Sequence, residues 1–358
     1  MNIHFADIQL ATARHLRWMP DAVVVTDEEI TVSGWALSIW DDPARQRFLI
    51  NGADFDQVDR SLPSPDLLDF FGHIPNAATS RFFCRHRRTG RDELFPDGFV
   101  RLNVTGPFGE HRLSYRTAWY LADPAREPAM PSPDQIERVI GSANLPSFRL
   151  GGATIVKHYE HLLHERFDRP IASFRSILDW GCGAGRLSRY LSLLSPAVTG
   201  IDIDADNIAC CRDSLPGARF LAVDLMPPTP FADCSFDLVI GLSVLTHLDE
   251  AVQDAWLEEL WRITQPEALL LLSVQGLPQM ALYRTPPALY LETHETGILD
   301  VGANAQLQAV IDDAEYYRNV MHSPDYIMTR WARWFDVLDI IPGTAGTQDV
   351  VLLRRRAD

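Results

Sequence analysis

Lysine is almost missing from this 358-residue chain: Lys157 is the single example among 32 basic residues, against 48 Asp and Glu. Positive charge is scarce as a result, and the net charge is −16 at pH 7. The shortage is uneven, −4 over residues 1–150 and −12 over residues 151–358. A body this acidic repels phosphate backbones and anionic headgroups, so neither nucleic acid nor a membrane surface is expected as a partner. Cysteine is sparse too. Cys84, Cys182, Cys210, Cys211 and Cys234 are odd in number and show no C-x-x-C spacing, which reads as buried or incidental thiols in a reducing compartment. The longest apolar stretch, Ala268 to Leu272 with Val274 beyond Ser273, is far short of the roughly 18 residues of a spanning helix. The N-terminus has no cationic start followed by an apolar core, so a soluble cytoplasmic protein is expected. No His, Cys, Asp or Glu group has metal-site spacing, and metal independence is expected.

What is present is ordinary globular material, 46% hydrophobic and 22% charged, enough for two domains with their own cores. From Ala22 to about Arg116 the apolar runs are short and punctuated: AVVV, ITVSGWAL, RFLI, RFFCRH, FVRLNV and HRLSYR. These read as strands of an antiparallel sandwich, with Asn51-Gly52 as a tight hairpin turn and SLPSPDLLDFFG as a helical interruption. His73, His86 and His111 stand isolated there and read as structural or solvated. Residues 122–135 hold four prolines in 14 positions, a linker. The expected organisation is a β-rich accessory domain over 1–120, a proline-rich linker and helix over 121–150, and a second domain over 151–358.

In the second domain the pattern changes to strand and helix in alternation. Candidate strands are Ile177 to Trp180, Ala197 to Ile201, Ala218 to Val223, Phe236 to Gly241, Ala268 to Val274, Phe335 to Ile341 and Asp349 to Leu353. Such alternation predicts a parallel sheet covered by helices on both faces. The last two candidates are joined only by PGTAGTQ, too short for a helical crossover, so they form an antiparallel hairpin at one edge.

The chemistry gathers at strand ends. ILDWGCGAGR, residues 177–186, is a buried strand running into a glycine-rich turn and a helix N-terminus, which suits a nucleotide or an amino-acid carboxylate. Arg186 stands where a dinucleotide fingerprint wants glycine, which weakens the NAD dehydrogenase alternative. Asp202 follows Gly181 by 21 residues at the next strand tip, placed to accept hydrogen bonds from ribose hydroxyls. Asp224 falls at the third tip, able to accept from an adenine amino group.

With LDWGCGAGR, GIDID, AVDL, FDLVIGLSVLTHLDE, LWRITQPEALLLLSV and the hairpin FDVLDIIPGTAGTQDVVLLRR in place, the sequence over about residues 150–356 resembles the class I S-adenosylmethionine-dependent methyltransferases. Segments such as LSVLTHLDE, WLEELWRI and HSPDY look like bacterial methyltransferases that accompany glycosyltransferases and glycan biosynthesis. The resemblance implies an α/β fold: a Rossmann-like seven-stranded sheet with its last strand antiparallel, preceded by a smaller antiparallel β-sandwich-like domain. It implies S-adenosylmethionine as the cofactor, with Asp179 near the methionine amino group, Gly181, Cys182, Gly183 and Gly185 forming the turn, Asp202 and Ile203 at the ribose, Asp224 and Leu225 facing the adenine, and Ser243 near the sulfonium. Where the family commonly has Pro-Gly-Gly before the fifth strand, this chain has Gln265-Pro266-Glu267-Ala268, at some expense of turn flexibility.

Methyl transfer to an alcohol gains from a general base. His247, in the loop after the fourth strand, is the first candidate, followed by His322 and His294 in a long insertion over about 276–326. That insertion also holds Tyr283, Arg284, Tyr290, Glu295, Tyr316 and Tyr317, and reads either as an acceptor lid or as a surface excursion. His158, Tyr159 and His161 precede the first strand on a helix placed to cover a cofactor. The leading expectation is a methyltransferase acting on an oxygen of a sugar, a glycan precursor or a related small molecule. A nitrogen or phenol acceptor, or a non-catalytic binding module, are the alternatives.

Overall fold

A computed structural model describes residues 17–38, 43–72, 74–88, 94–105, 118–282, 285–304 and 317–357. The candidates His73, His111, Tyr283, Arg284 and Tyr316, and the strand HRLSYR, lie outside the described residues. The described chain forms two compact units. One runs to Glu127 and includes Leu145–Lys157; the other holds Pro128–Asn144 and everything from His158 onward.

The first unit is two four-stranded antiparallel sheets. Its strands are β1 (Arg17–Val25), β2 (Glu29–Leu37), β3 (Arg47–Ile50), β4 (Ala53–Asp54), β5 (Gln57–Leu62), β6 (Arg81–Arg87), β7 (Phe99–Thr105) and β8 (Ala118–Ala122), with the helix α1 (Leu68–Phe71) between β5 and β6. The orders are β1-β2-β6-β5 and β4-β3-β7-β8. Along β2 burial alternates residue by residue, as it must when one sheet face meets a core. Trp18, Ile30, Val32, Phe82 and Cys84 from one sheet and Phe48, Ile50, Val100, Leu102 and Leu121 from the other share that core, with Phe48 and Phe82 ring centroids 4.2 Å apart. Asn51 and Gly52 both have positive φ, 48° and 85°, which closes the β3–β4 hairpin as their residue types predict.

The second unit begins with α2 (Pro133–Ile140), opened by a capping box in which Ser132 and Gln135 satisfy each other's backbone amides. The helix α3 (Leu145–Phe167) contributes its residues from His158 onward. Then follow β9 (Ile177–Trp180), α4 (Ser188–Leu194), β10 (Val198–Asp202), α5 (Ala205–Ser214), β11 (Arg219–Ala222), β12 (Phe236–Gly241), α6 (Glu250–Ile263) and β13 (Thr264–Val274). The insertion supplies α7 (Leu277–Leu282), α8 (Pro287–Thr296), β14 (Ile298–Ala303) and β15 (Arg318–His322). The last elements are α9 (Pro324–Arg330), β16 (Phe335–Ala345) and β17 (Gln348–Arg355). The seven-stranded sheet has the order β11-β10-β9-β12-β13-β17-β16. β17 runs antiparallel to both neighbours, and the adjacent pairs from β11 to β13 are parallel.

Two details differ from the sequence reading. The hairpin turn is tighter, because β16 continues to Ala345 and β17 starts at Gln348, leaving Gly346 at φ 72° and Thr347 to turn the chain. The third strand stops at Ala222, one residue short of the expected Val223, whose N–H makes the last rung of the ladder to the Asp202 carbonyl at 3.0 Å. Glu267, in the Gln265-Pro266-Glu267-Ala268 segment, takes φ 64°, a left-handed conformation a glycine would adopt at less cost.

Parallel registry sets the rim on which the site is built. Trp180 pairs with Ile201 on one side and with Gly241 on the other, so the chain leaves β9, β10 and β12 at one edge of the sheet. The insertion is tied to that unit by β15: its His322 N–H donates to the Gln275 carbonyl at 2.9 Å, and Leu277, Met280, Tyr290 and Met321 pack together.

In the first unit, a Cβ placed on Gly34 would lie 2.1 Å from the Met19 carbonyl oxygen. Gly34→Ala should therefore destabilise the β-rich unit by about 2 kcal/mol or more, overpacking against backbone that cannot yield. Thermal unfolding of the full chain checks this; an unchanged first transition would refute it.

Candidate active site

A cavity of about 160 Å³ opens at the rim where β9, β10 and β12 end. Its floor is the β9 end and the turn behind it. Asp179 is 1% exposed, and its carboxylate accepts a 2.5 Å hydrogen bond from the Ser188 hydroxyl at the start of α4. Burial pushes its carboxyl up to about 7, against the lowering effect of Ser188. Gly181 turns at φ 70°, and any Cβ there would meet the Val244 side chain at 2.4 Å, so only glycine lets the two loops close on each other.

Asp202 at the end of β10 holds the turn in place. One carboxylate oxygen accepts from the Gly183 N–H at 2.7 Å and the other from the Asp204 N–H at 2.9 Å. Burial raises this carboxyl to about 6 in spite of those two donors. Asp204 caps α5 through the Asp206 and Asn207 amides and pairs with Arg138 of α2 at 2.7 Å. α2 thus reaches the site from the sequence before β9, and its Arg138 and Val139 line the cavity.

On the β12 side, Ser243 has φ 60°, an uncommon conformation for a residue with a side chain. It is held from two directions: its N–H donates to the Ser273 hydroxyl at 2.7 Å, and its own hydroxyl accepts from the Gln348 amide at 2.8 Å. The short turn Leu245–His247 follows. His247 Nδ1 lies 3.0 Å from the Arg318 carbonyl, which can only accept, so Nδ1 carries the proton and Nε2 keeps a lone pair. Burial lowers its pKa below the usual 6.5, so the ring is neutral at pH 7. Tyr317 stands edge-on to it, 6.2 Å between ring centroids, and also lines the cavity.

Of the residues singled out in the sequence, Asp179, Gly181, Cys182, Gly183, Asp202, Ile203, Ser243 and His247 come together here. Five do not line the cavity. Gly185 turns at φ 77° against Leu215 and Cys211, a packing position. Asp224 is exposed, because the chain has already left the sheet at Ala222. Leu225 gives its carbonyl to the Trp256 indole N–H at 3.1 Å, and Val223 takes the place at the cavity wall. His294 is exposed on α8. His322 is fully buried beside Tyr326 and Trp331, its pKa pulled down to about 3 by burial, with its Nε2 on Gln253. His158, Tyr159 and His161 lie on α3 and do not line the cavity either.

The sequence reading also passed over cavity residues. Arg186, weighed only against a dinucleotide fingerprint, lines the site; its Nε has no hydrogen-bond partner, and burial lowers its pKa to about 10, still cationic at pH 7. Its place right after the glycine turn was the available signal. Arg138, Val139 and Trp256 had none, being brought in by helix packing from distant segments. Among the described residues no three His, Cys, Asp or Glu side chains converge as a metal site would require, and no helix is long and apolar enough to cross a membrane.

Residues 178–272 match a family described as methyltransferase domain. Over 114 residues the chain is 32% identical to the malonyl-[acyl-carrier protein] O-methyltransferase of Enterobacter lignolyticus, covering 31% of this chain and 44% of that protein. It is 26% identical over 141 residues to a probable S-adenosylmethionine-dependent methyltransferase of Mycolicibacterium smegmatis, covering 38% of this chain and 50% of that one. The chain thus spans about half the length of these relatives or less. A solved S-adenosylmethionine-dependent methyltransferase from Methanosarcina mazei is similar at 21% identity and a TM-score of 0.38, covering 51% of this chain and 93% of that chain. Asp179, the glycine turn, Asp202, Ser243 and His247 all lie within the segment that matches the methyltransferase-domain family.

Proposed function

We propose that this protein transfers a methyl group from S-adenosylmethionine to a hydroxyl oxygen of a small molecule, a sugar or glycan precursor being the favoured class. The observation that carries the reading is the meeting of Asp179, Asp202 and His247, whose Nε2 keeps its lone pair, in one cavity of the segment that matches a methyltransferase domain. The cofactor supplies a methyl carbon on a sulfonium, which becomes a neutral thioether when the acceptor oxygen displaces it.

The residues present fit that group. Asp179 is a buried carboxylate raised by desolvation, and a ligand ammonium beside it would relieve that cost. Asp202, already bridging two backbone amides, would take the ribose hydroxyls, and Ile203 and Val223, which line the cavity as Asp224 does not, would be the residues for the adenine. Arg186 is the cation for the methionine carboxylate. His247 Nε2 accepts the acceptor hydroxyl's proton as the new oxygen–carbon bond forms, and the Arg318 carbonyl stabilises the imidazolium that results. Tyr317, half-buried beside His247 at the cavity, offers an aromatic ring of the kind that suits a sugar. The acceptor class draws its support from this ring and from the presence of a base.

Calorimetric titration with S-adenosylhomocysteine should show binding that Asp202→Ala abolishes; equal binding by the variant would remove Asp202 from the site. Because Asp179 must be ionised to hold an ammonium and its carboxyl is raised to about 7, affinity should rise about tenfold from pH 6 to pH 8 and then level off. A flat profile would count against the ammonium contact. Arg186→Gln should weaken S-adenosylhomocysteine at least tenfold yet leave methylthioadenosine, which lacks the carboxylate, within twofold; an equal loss for both would show a structural role. Turnover on bacterial sugar-nucleotide and glycan extracts, read as a gain of one methyl group by mass spectrometry, should fall roughly 10²- to 10⁴-fold in His247→Ala. Full activity in that variant would move the reading to an acceptor that is already ionised, such as a carboxylate.

A further inference from the structure

The insertion returns to the sheet through β15, and β15 acts twice on the single turn that carries His247. Its first residue, Arg318, offers the carbonyl that fixes the His247 tautomer. Its last, His322, is 0% exposed and sits 2.9 Å from Gln253 Oε1 through Nε2. Gln253, on α6 and also 0% exposed, donates its amide N–H groups to the carbonyls of Leu245 at 3.0 Å and Leu248 at 2.8 Å. Those two carbonyls flank His247 on either side.

The donor and acceptor logic leaves one arrangement. Both carbonyls only accept, so the Gln253 nitrogen must face them and its oxygen must face His322. His322 Nε2 therefore carries the proton. Its Nδ1 is a bare, buried acceptor with no partner, a feature that costs stability. Packing among Tyr326 and Trp331 would be served as well by an apolar ring, so the polar pair is not accounted for by the core. Its evident effect is on the turn: three hydrogen bonds through one glutamine, with the direct bond from His247 to Arg318, hold Leu245–Leu248 to β15.

We propose that Gln253 and His322 are positioning residues for His247: they lock the turn so that the ring keeps Nδ1–H on the Arg318 carbonyl and Nε2 bare. The assignment deepens the reading of His247 as the base and rests on it for its functional meaning. It turns the second candidate base of the sequence, a histidine in the insertion, from a reacting group into the support of one. The insertion then has a role besides covering an acceptor, because its return strand carries both contacts.

Histidine tautomers are read directly by long-range ¹H–¹⁵N spectra of the full chain labelled at histidine nitrogen, with the His247 signals identified by their loss in His247→Ala. The parent protein should show a single Nδ1–H tautomer for His247. His322→Phe should average the two ring nitrogens, while His322→Gln, which keeps one N–H for Gln253 Oε1, should retain the single tautomer. Calorimetric affinity for S-adenosylhomocysteine should stay within twofold in both variants, which also shows that the domain remains folded. An unaltered tautomer in His322→Phe would overturn the assignment, as would equal averaging in His322→Gln. Full methyl transfer by His247→Ala would instead bring down the base reading, an outcome separate from the tautomer measurement.

Discussion

The hydrogen bond from the Gly183 amide to the Asp202 carboxylate joins the ends of two neighbouring parallel strands into one rim. The glycine turn and the acidic side of the site take their positions from that tie. It holds the glycine turn open above Asp179, it orients Asp202 so that its other oxygen caps the Asp204 amide, and through Asp204 it reaches Arg138 on a helix from far earlier in the chain. The tie exists because β9 and β10 are adjacent and in register, Trp180 against Ile201. Parallel strands with short ends place backbone donors and side-chain acceptors beside each other without a dedicated binding loop.

Electrostatics gives the cavity its character. Asp179, Asp202 and Asp204 line one small space with Arg138 and Arg186, yet only Arg138 is paired with one of them, Asp204. Asp179 and Asp202 are raised by burial, and Arg186 is lowered by it. Groups held away from their ordinary pKa values in a common cleft store unfavourable solvation that a ligand of complementary charge can relieve. An amino-acid-bearing nucleoside, with an ammonium, a carboxylate and ribose hydroxyls, has that complementarity. The chain's overall charge of −16 is a different matter, since these three carboxylates are a small part of its 48.

Local chemistry explains what was legible in advance. Ile177–Trp180 and Phe236–Gly241 are mostly apolar runs, each with one aspartate, and both are strands with those limits. Asn51-Gly52 specifies its own turn, and the glycine-rich segment after Trp180 could hardly be anything else. Strand ends were less legible: β11 pairs only as far as Ala222, with Val223 as its last rung, and Asp224 falls beyond it in solvent. Histidines were the least legible. His247 and His322 look alike in a sequence, and their difference is one of surroundings: one ring lines the cavity, the other is sealed beside Tyr326 and Trp331.

By itself the amino-acid order determined the alternation of strands and helices, the antiparallel hairpin at the end, the β-rich first segment, and the two carboxylates and glycines of the rim. These follow from periodicity and backbone freedom, which act over a few residues. Only the tertiary structure decided which helix comes over the glycine turn, that the Nε of Arg186 is buried without a hydrogen-bond partner, and that Gln253, itself bonded to His322, is bonded to the turn bearing His247. Such relations depend on donors and acceptors meeting across 69 residues, as between Gln253 and His322, or 71, as between His247 and Arg318. Chain spacing carries no record of a pairing at that range; packing and the demand that buried polar groups find partners settle it.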